Sequence, residues 1–131
     1  MTSERSPSPA AAWLWVPRSF GNIAPSAERA TVEERDDGWR VVLPEGLLGI
    51  GRRRPPPWEH AWLTLTRDVI SRFHCQITTR DGACWILDQH STGGTYVNQE
   101  RVSSRTPQRL RHGDELFLLG VRFFVAVEGG A

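Results

Sequence analysis

From Phe73 to Thr79 the chain alternates apolar Phe73, Cys75 and Ile77 with polar His74, Gln76 and Thr78, and this period of two predicts a strand buried on one face. Ala83 to Asp88 answers it across the turn Arg80-Asp81-Gly82-Ala83. Similar short runs occur along the chain: Ala11 to Val16 before Pro17, Trp39 to Leu43, Leu47 to Gly51 and Trp62 to Leu65, then Thr95 to Val97, Leu116 to Leu119 and Val121 to Val127. Pro44-Glu45-Gly46 is a turn by composition, so Trp39–Leu43 and Leu47–Gly51 are expected to form a hairpin. Residues 18–37 read as polar and irregular, and Arg52-Arg53-Arg54 with Pro55-Pro56-Pro57 as loop, because proline cannot donate to a ladder. No useful length shows a 3.6-residue apolar stripe. Many short strands punctuated by turns, without helices, predict an antiparallel sandwich or barrel.

The 131 residues are 39% apolar and 24% charged, with six Trp and five Phe to fill a core. One domain over 11–128 is expected, with a Ser/Pro-rich tail at 1–10, a short tail at 129–131 and no room for a second catalytic domain. No run of 18 apolar residues occurs and the first residues lack a basic stretch followed by an apolar one, so a cytoplasmic protein that does not engage a membrane is expected. A net charge of +1 argues against nucleic acid as the partner. All basic residues are Arg, which suits bidentate anion contacts but also follows from genome composition. With Asp81-Gly82 as the turn, Thr79 faces Cys84 and Cys75 faces Asp88, which leaves the sulfurs about 13 Å apart along the strand. No disulfide is expected, and both cysteines read as small buried hydrophobes.

The concentrated polar chemistry falls in three loops. Arg52 follows Gly51 at a strand end and could offer its guanidinium fork to a phosphate, although a solvated surface arginine fits equally. Ser71, in Ser71-Arg72-Phe73-His74, could bond an anion or satisfy its own turn. Ser91-Thr92-Gly93-Gly94-Thr95 is a hydroxyl-rich glycine loop whose amides could ring an anion, or a plain connection.

In order and spacing, four segments resemble the forkhead-associated (FHA) domain family, from about Trp39 to Val127. They are Gly51-Arg52, Ser71-Arg72-Phe73-His74, the stretch from Asp88 through Ser91-Thr92-Gly93-Gly94-Thr95 to Asn98, and the stretch from Leu110 through Gly113-Asp114 to Gly120. The resemblance implies a β-sandwich of two packed sheets with binding loops at one end. It implies a module that recognises phosphothreonine in a partner protein, performs no catalysis and uses no cofactor or metal. Carried over by residue, it assigns Arg52 and Ser71 to the phosphate, Thr92 and Arg72 to further contacts and Ser91 and Gly93 to the peptide-binding loop. Gly51, His74, Gly94 and Asn98 become structural. The family's Asn is Gly93 here, which removes a clamp on the peptide main chain, so restoring Asn is expected to tighten binding modestly.

A monomer is expected, with a threonine-phosphorylated protein or peptide as partner; the alternative is a phosphate-independent interaction domain with a degenerate site. A His74–Cys75 catalytic pair is poor chemistry, since neighbours on a strand point to opposite faces. Arg53 and Arg54 could read acidic residues of the peptide, or belong to a solvated insertion. Thr31, on a segment expected to be flexible, is a candidate phosphosite that could fill the chain's own pocket.

Overall fold

A computed structural model describes residues 12–19 and 24–128. Within them the alternating segments form thirteen strands: β1 (Ala12–Pro17), β2 (Ser26–Glu28), β3 (Thr31–Arg35), β4 (Gly38–Val42), β5 (Gly46–Gly51), β6 (Ala61–Thr64), β7 (Cys75–Arg80), β8 (Ala83–Asp88), β9 (Thr95–Val97), β10 (Glu100–Arg101), β11 (Gln108–Leu110), β12 (Glu115–Leu118) and β13 (Val121–Val127). The tails expected at 1–10 and 129–131 lie outside the described residues, as does Ala11. One sheet runs β10-β9-β12-β13-β1-β4-β3 and the other β11-β8-β7-β5-β6-β2. Their facing side chains build one core, including Leu14, Val41, Ile50, Ile77, Ile86, Leu116 and Phe123. The fold is therefore an all-β sandwich, and no described helix is long and apolar enough to cross a membrane.

Two expectations are corrected. Trp39–Leu43 and Leu47–Gly51 do not pair: β4 lies between β1 and β3, whereas β5 lies between β7 and β6 in the other sheet. Leu43 N–H is donated to Ala12 O at 2.8 Å, so the chain follows β1 past the end of β4 and then crosses the core at Pro44. Residues 18–37 are not irregular throughout, for they contain β2 and β3. Thr31 stands in β3 opposite Val42, in a ladder rather than on a flexible leash. Most positions on these strands are exposed or half-buried, so no apolar alternation marks them.

The β7–β8 hairpin keeps the expected register, with Cys75 opposite Asp88 and Thr79 opposite Cys84. Both cysteines are free and buried, and burial pushes each thiol above its ordinary value.

Strands β5 and β6 are parallel, an exception in otherwise antiparallel sheets, and residues 52–60 return the chain between them. The arginine-proline segment is this crossover rather than a fully solvated insertion. Trp58 anchors it on the outer face of the sheet, its ring 5.6 Å from Trp62 and 5.1 Å from Phe73 between centroids, and its Nε1–H donated to Ala61 O at 2.9 Å. Gly49 makes room beneath, since a Cβ there would sit 2.6 Å from Trp62 and 2.7 Å from Trp58. Trp62 is consequently fully buried outside the main core, while Arg53 and Arg54 stay exposed.

Candidate functional site

The end of β5 brings the first two loops together through its backbone. Arg52 N–H is donated to Ser71 O at 3.0 Å, Arg53 N–H to Arg72 O at 3.2 Å and His74 N–H to Ile50 O at 2.8 Å. So close an approach excludes any side chain at Gly51, where a Cβ would lie 2.0 Å from Arg72 O. The position of Ser71 relative to Arg52 is thus set by ladder bonds and a missing methyl.

His74 fixes the second joint. Its Nδ1 accepts Ser71 N–H at 3.1 Å, which leaves the proton on Nε2, and Nε2–H is donated to Gly94 O at 2.9 Å. The ring is fully buried, and that burial lowers its pKa below the ordinary 6.5 against the opposing effects of the Gly94 carbonyl and the Asp88 charge. A neutral imidazole accepting at one nitrogen and donating at the other is what these two bonds require. Cys75 beside it faces the core, so no thiolate stands within its reach for nucleophilic chemistry.

The glycine loop is organised from within by Asp88. This buried carboxylate accepts Ser91 N–H at 3.0 Å, Ser91 Oγ–H at 2.6 Å and Thr95 Oγ1–H at 2.7 Å. Ser91 Oγ in turn accepts Gly94 N–H at 3.0 Å, and Gly94 has a left-handed φ of +85°. Ser91 is therefore 5% exposed and wholly engaged inside the loop, so it does not face the recess that its neighbours share. Thr92 is exposed, and its N–H is donated to Ser71 Oγ at 3.0 Å, closing the glycine loop onto the serine loop. Since Ser71 Oγ accepts there, its own proton is free to point outward.

Arg52, Ser71, Thr92 and Gly93 line one open recess of about 370 Å³, together with Asp68, Val69, Ile70 and Leu119. Among the described residues, Arg52 has no carboxylate partner, and its Nε is buried without an acceptor. Arg72 lines a second, adjoining recess with Arg52 and Arg53. Arg54 is drawn aside by Glu28 at 3.3 Å. Asn98 stands apart, donating to Asp114 Oδ1 and accepting Glu115 N–H, both at 2.9 Å, so that it ties the β9–β10 turn to the approach of β12.

A family model of the FHA domain matches residues 48–120. The chain belongs to the FHA domain family. Among solved structures, Mycobacterium tuberculosis EmbR in complex with a low-affinity phosphopeptide is similar at 22% identity and TM-score 0.65 over 93% of this chain and 26% of EmbR. The FHA domain of an Arabidopsis thaliana hypothetical protein is similar at 20% identity and TM-score 0.65 over 100% of this chain and 98% of that one. The FhaA FHA domain, in complex with the intracellular domain of Rv3910, is 26% identical with TM-score 0.57 over 76% of this chain and 99% of that one. No curated protein matches the sequence.

Motif reasoning selected Arg52, Ser71 and Thr92 but missed three contributors. Asp88 lies inside the motif, and an Asp three residues before a Ser is a sequence sign of a self-bonded loop. Val69 and Leu119 carried no local signal, because only the closed sandwich brings their loops to the same rim.

Proposed function

We propose that this FHA domain binds threonine-phosphorylated protein segments in the recess shared by Arg52, Ser71 and Thr92, and acts as an interaction module rather than an enzyme. The observation that carries the reading is the convergence of a guanidinium without a carboxylate partner, the Ser71 hydroxyl and the Thr92 loop on one open recess. A dianionic phosphate fits this set, with Arg52 supplying charge-assisted bonds and Ser71 a neutral donor. Ser71 is already oriented by the Thr92 amide, so little ordering remains for the ligand to impose. Arg72 adds positive charge from the adjoining recess, while His74, Asp88, Ser91 and Gly94 keep the two loops in register. The bound partner is a phosphorylated protein, as the phosphopeptide complex of the related EmbR also suggests.

Calorimetry with a phosphothreonine peptide before and after phosphatase treatment tests the reading. Phosphate-dependent binding is expected, and Arg52→Ala, with its fold verified, should weaken it at least about tenfold through loss of about 1.5–3 kcal/mol. Equal affinity for both peptides would point instead to a phosphate-independent interaction surface, and phosphate-dependent binding unaffected by Arg52→Ala would overturn the assignment of the site to this recess.

A further inference from the structure

We propose that the chain has a second docking surface, on the outer face of the six-stranded sheet, which takes an acidic, unphosphorylated protein segment with one apolar residue seated against Trp85. Its frame is a row of residues opposite one another across four strands: Leu47 on β5, Thr78 on β7, Trp85 on β8 and Arg109 on β11. The next residues along these strands, Leu48, Ile77, Ile86 and Leu110, belong to the core, so the row points away from it. Thr78 and Trp85 line an open recess of about 370 Å³ with Pro107, and it shares no residue with the recess of Arg52, Ser71 and Thr92. Elsewhere on this face Trp58, Trp62 and Phe73 cover one another edge to face, but among the described residues no other ring packs on Trp85. The approach to Pro107 is fixed by Ser103: its O accepts Asp88 N–H at 3.0 Å, and its Oγ accepts Arg105 N–H at 2.9 Å and Thr106 N–H at 3.1 Å.

The charges around this recess decide its occupant. Arg109 lies over the Trp85 ring, 5.3 Å from its centroid, and a guanidinium held over an indole still has N–H donors in its own plane to offer a carboxylate. Arg80 stands two residues from Thr78 on the same face of β7, about 7 Å along the strand, and Arg105 comes two residues before Pro107. These three arginines are exposed, and among the described residues none has a carboxylate partner, whereas Arg18, Arg35, Arg40, Arg54 and Arg122 each have one. In β7, β8 and β11 the one carboxylate is Asp88, which is buried and engaged by Ser91 and Thr95. Three unpaired cations around an uncovered indole, with no anion between them, are complementary to acidic residues on either side of an apolar one. The chain's net charge of +1 disfavours nucleic acid as the occupant. Trp85 lies three residues before Asp88 in β8, about 10 Å along the strand, so both recesses can be filled at once, and a partner carrying both segments would gain from their linkage.

The test uses the full chain and an unphosphorylated peptide in which a single Leu stands between two Glu-Asp-Glu runs. Calorimetry should give a Kd of about 1 mM or tighter, and the Trp85 indole N–H resonance should shift during an NMR titration. Ala in place of the Leu should weaken binding about threefold or more, and Lys in place of the acidic residues should abolish it. A saturating phosphothreonine peptide without acidic residues should leave the affinity unchanged. In Arg109→Gln and in Trp85→Thr, each with its fold verified by thermal unfolding, binding of the acidic peptide should weaken about fivefold or more, with phosphothreonine binding as in the unaltered chain. Absence of binding at about 1 mM, an affinity indifferent to the Leu, displacement by the phosphothreonine peptide, or unaltered binding in both variants would overturn the inference. So would displacement of the acidic peptide by a single-stranded oligonucleotide that binds more tightly and with a steep salt dependence, which would assign the arginines to nucleic acid.

Discussion

At position 93 a missing side chain decides what a neighbouring turn can do, since Leu119 occupies the volume an asparagine would fill. The motif alone suggests that Gly93→Asn restores a peptide clamp and tightens binding. The packing adds a condition. Gly93 does not have a left-handed φ, so backbone strain is not the obstacle; the obstacle is Leu119 Cδ1 at 2.2 Å. Gly93→Asn alone is expected to leave phosphopeptide affinity unimproved, whereas Gly93→Asn with Leu119→Ala should bind more tightly than the two single changes predict when added. A coupling of about 0.5–1.5 kcal/mol is reasonable for side chains in contact. A calorimetric double-mutant cycle measures it, and additivity within about 0.3 kcal/mol would remove the link between the positions. Residues of this kind mark the limit of reading a sequence. Gly51, Arg52, Ser71 and His74 lie in short motifs whose order along the chain is visible, but the encounter of residues 93 and 119 exists only after both sheets have closed.

Strands with clean alternation, such as β7 and β8, were legible down to their register, because a one-residue slip would turn Cys75 and Ile77 outward. Partner choice was not legible. Trp39–Leu43 and Leu47–Gly51 each look like half of a hairpin, yet what separates them is a crossing between sheets, and local composition does not distinguish a turn back from a turn across. The edge strand β3 escaped notice because its Thr-Val-Glu-Glu-Arg offers one apolar residue. Its pairing with β4 also weakens the idea that Thr31 could reach its own chain's recess, since a whole ladder would have to open first. The joint that matters most among elements is the end of β5 against residues 71–74. Gly51→Ala would drive a methyl into Arg72 O, and overpacking of this sort typically costs about 1–3 kcal/mol. Because the displaced backbone also carries Ser71, the variant should lose both stability and phosphopeptide affinity. Denaturant unfolding with calorimetry on the folded fraction checks both, and a variant losing neither would mean that the approach of these segments is not needed for the site.

For the molecule as a whole, His74 joins the two sheets where the recess forms. Ser71 belongs to the loop leading into β7 of the six-stranded sheet, while Gly94 immediately precedes β9 of the seven-stranded one, and the imidazole bonds to both. This joint works only in the neutral ring, since protonation of Nδ1 would leave the Ser71 N–H facing another donor. Burial lowers the native pKa below 6.5, whereas the unfolded chain titrates near that value. Below about pH 6.5 the unfolded state binds a proton that the native state refuses, so stability present above that pH is lost progressively as pH falls through the lower native value. Urea midpoints should therefore decline between about pH 6.5 and 5, before most exposed carboxylates begin to take up protons. His74→Asn can keep one of the two bonds, and it should be less stable at pH 7.5 by about 1–3 kcal/mol while showing a flatter profile across that window. Equal slopes in the two proteins would assign the acid sensitivity to other groups and leave His74 as packing alone. A steeper slope in the unaltered chain, together with weaker phosphopeptide binding by His74→Asn at pH 7.5, would make one buried neutral ring responsible both for holding the sheets in register and for keeping Ser71 in place beside Arg52.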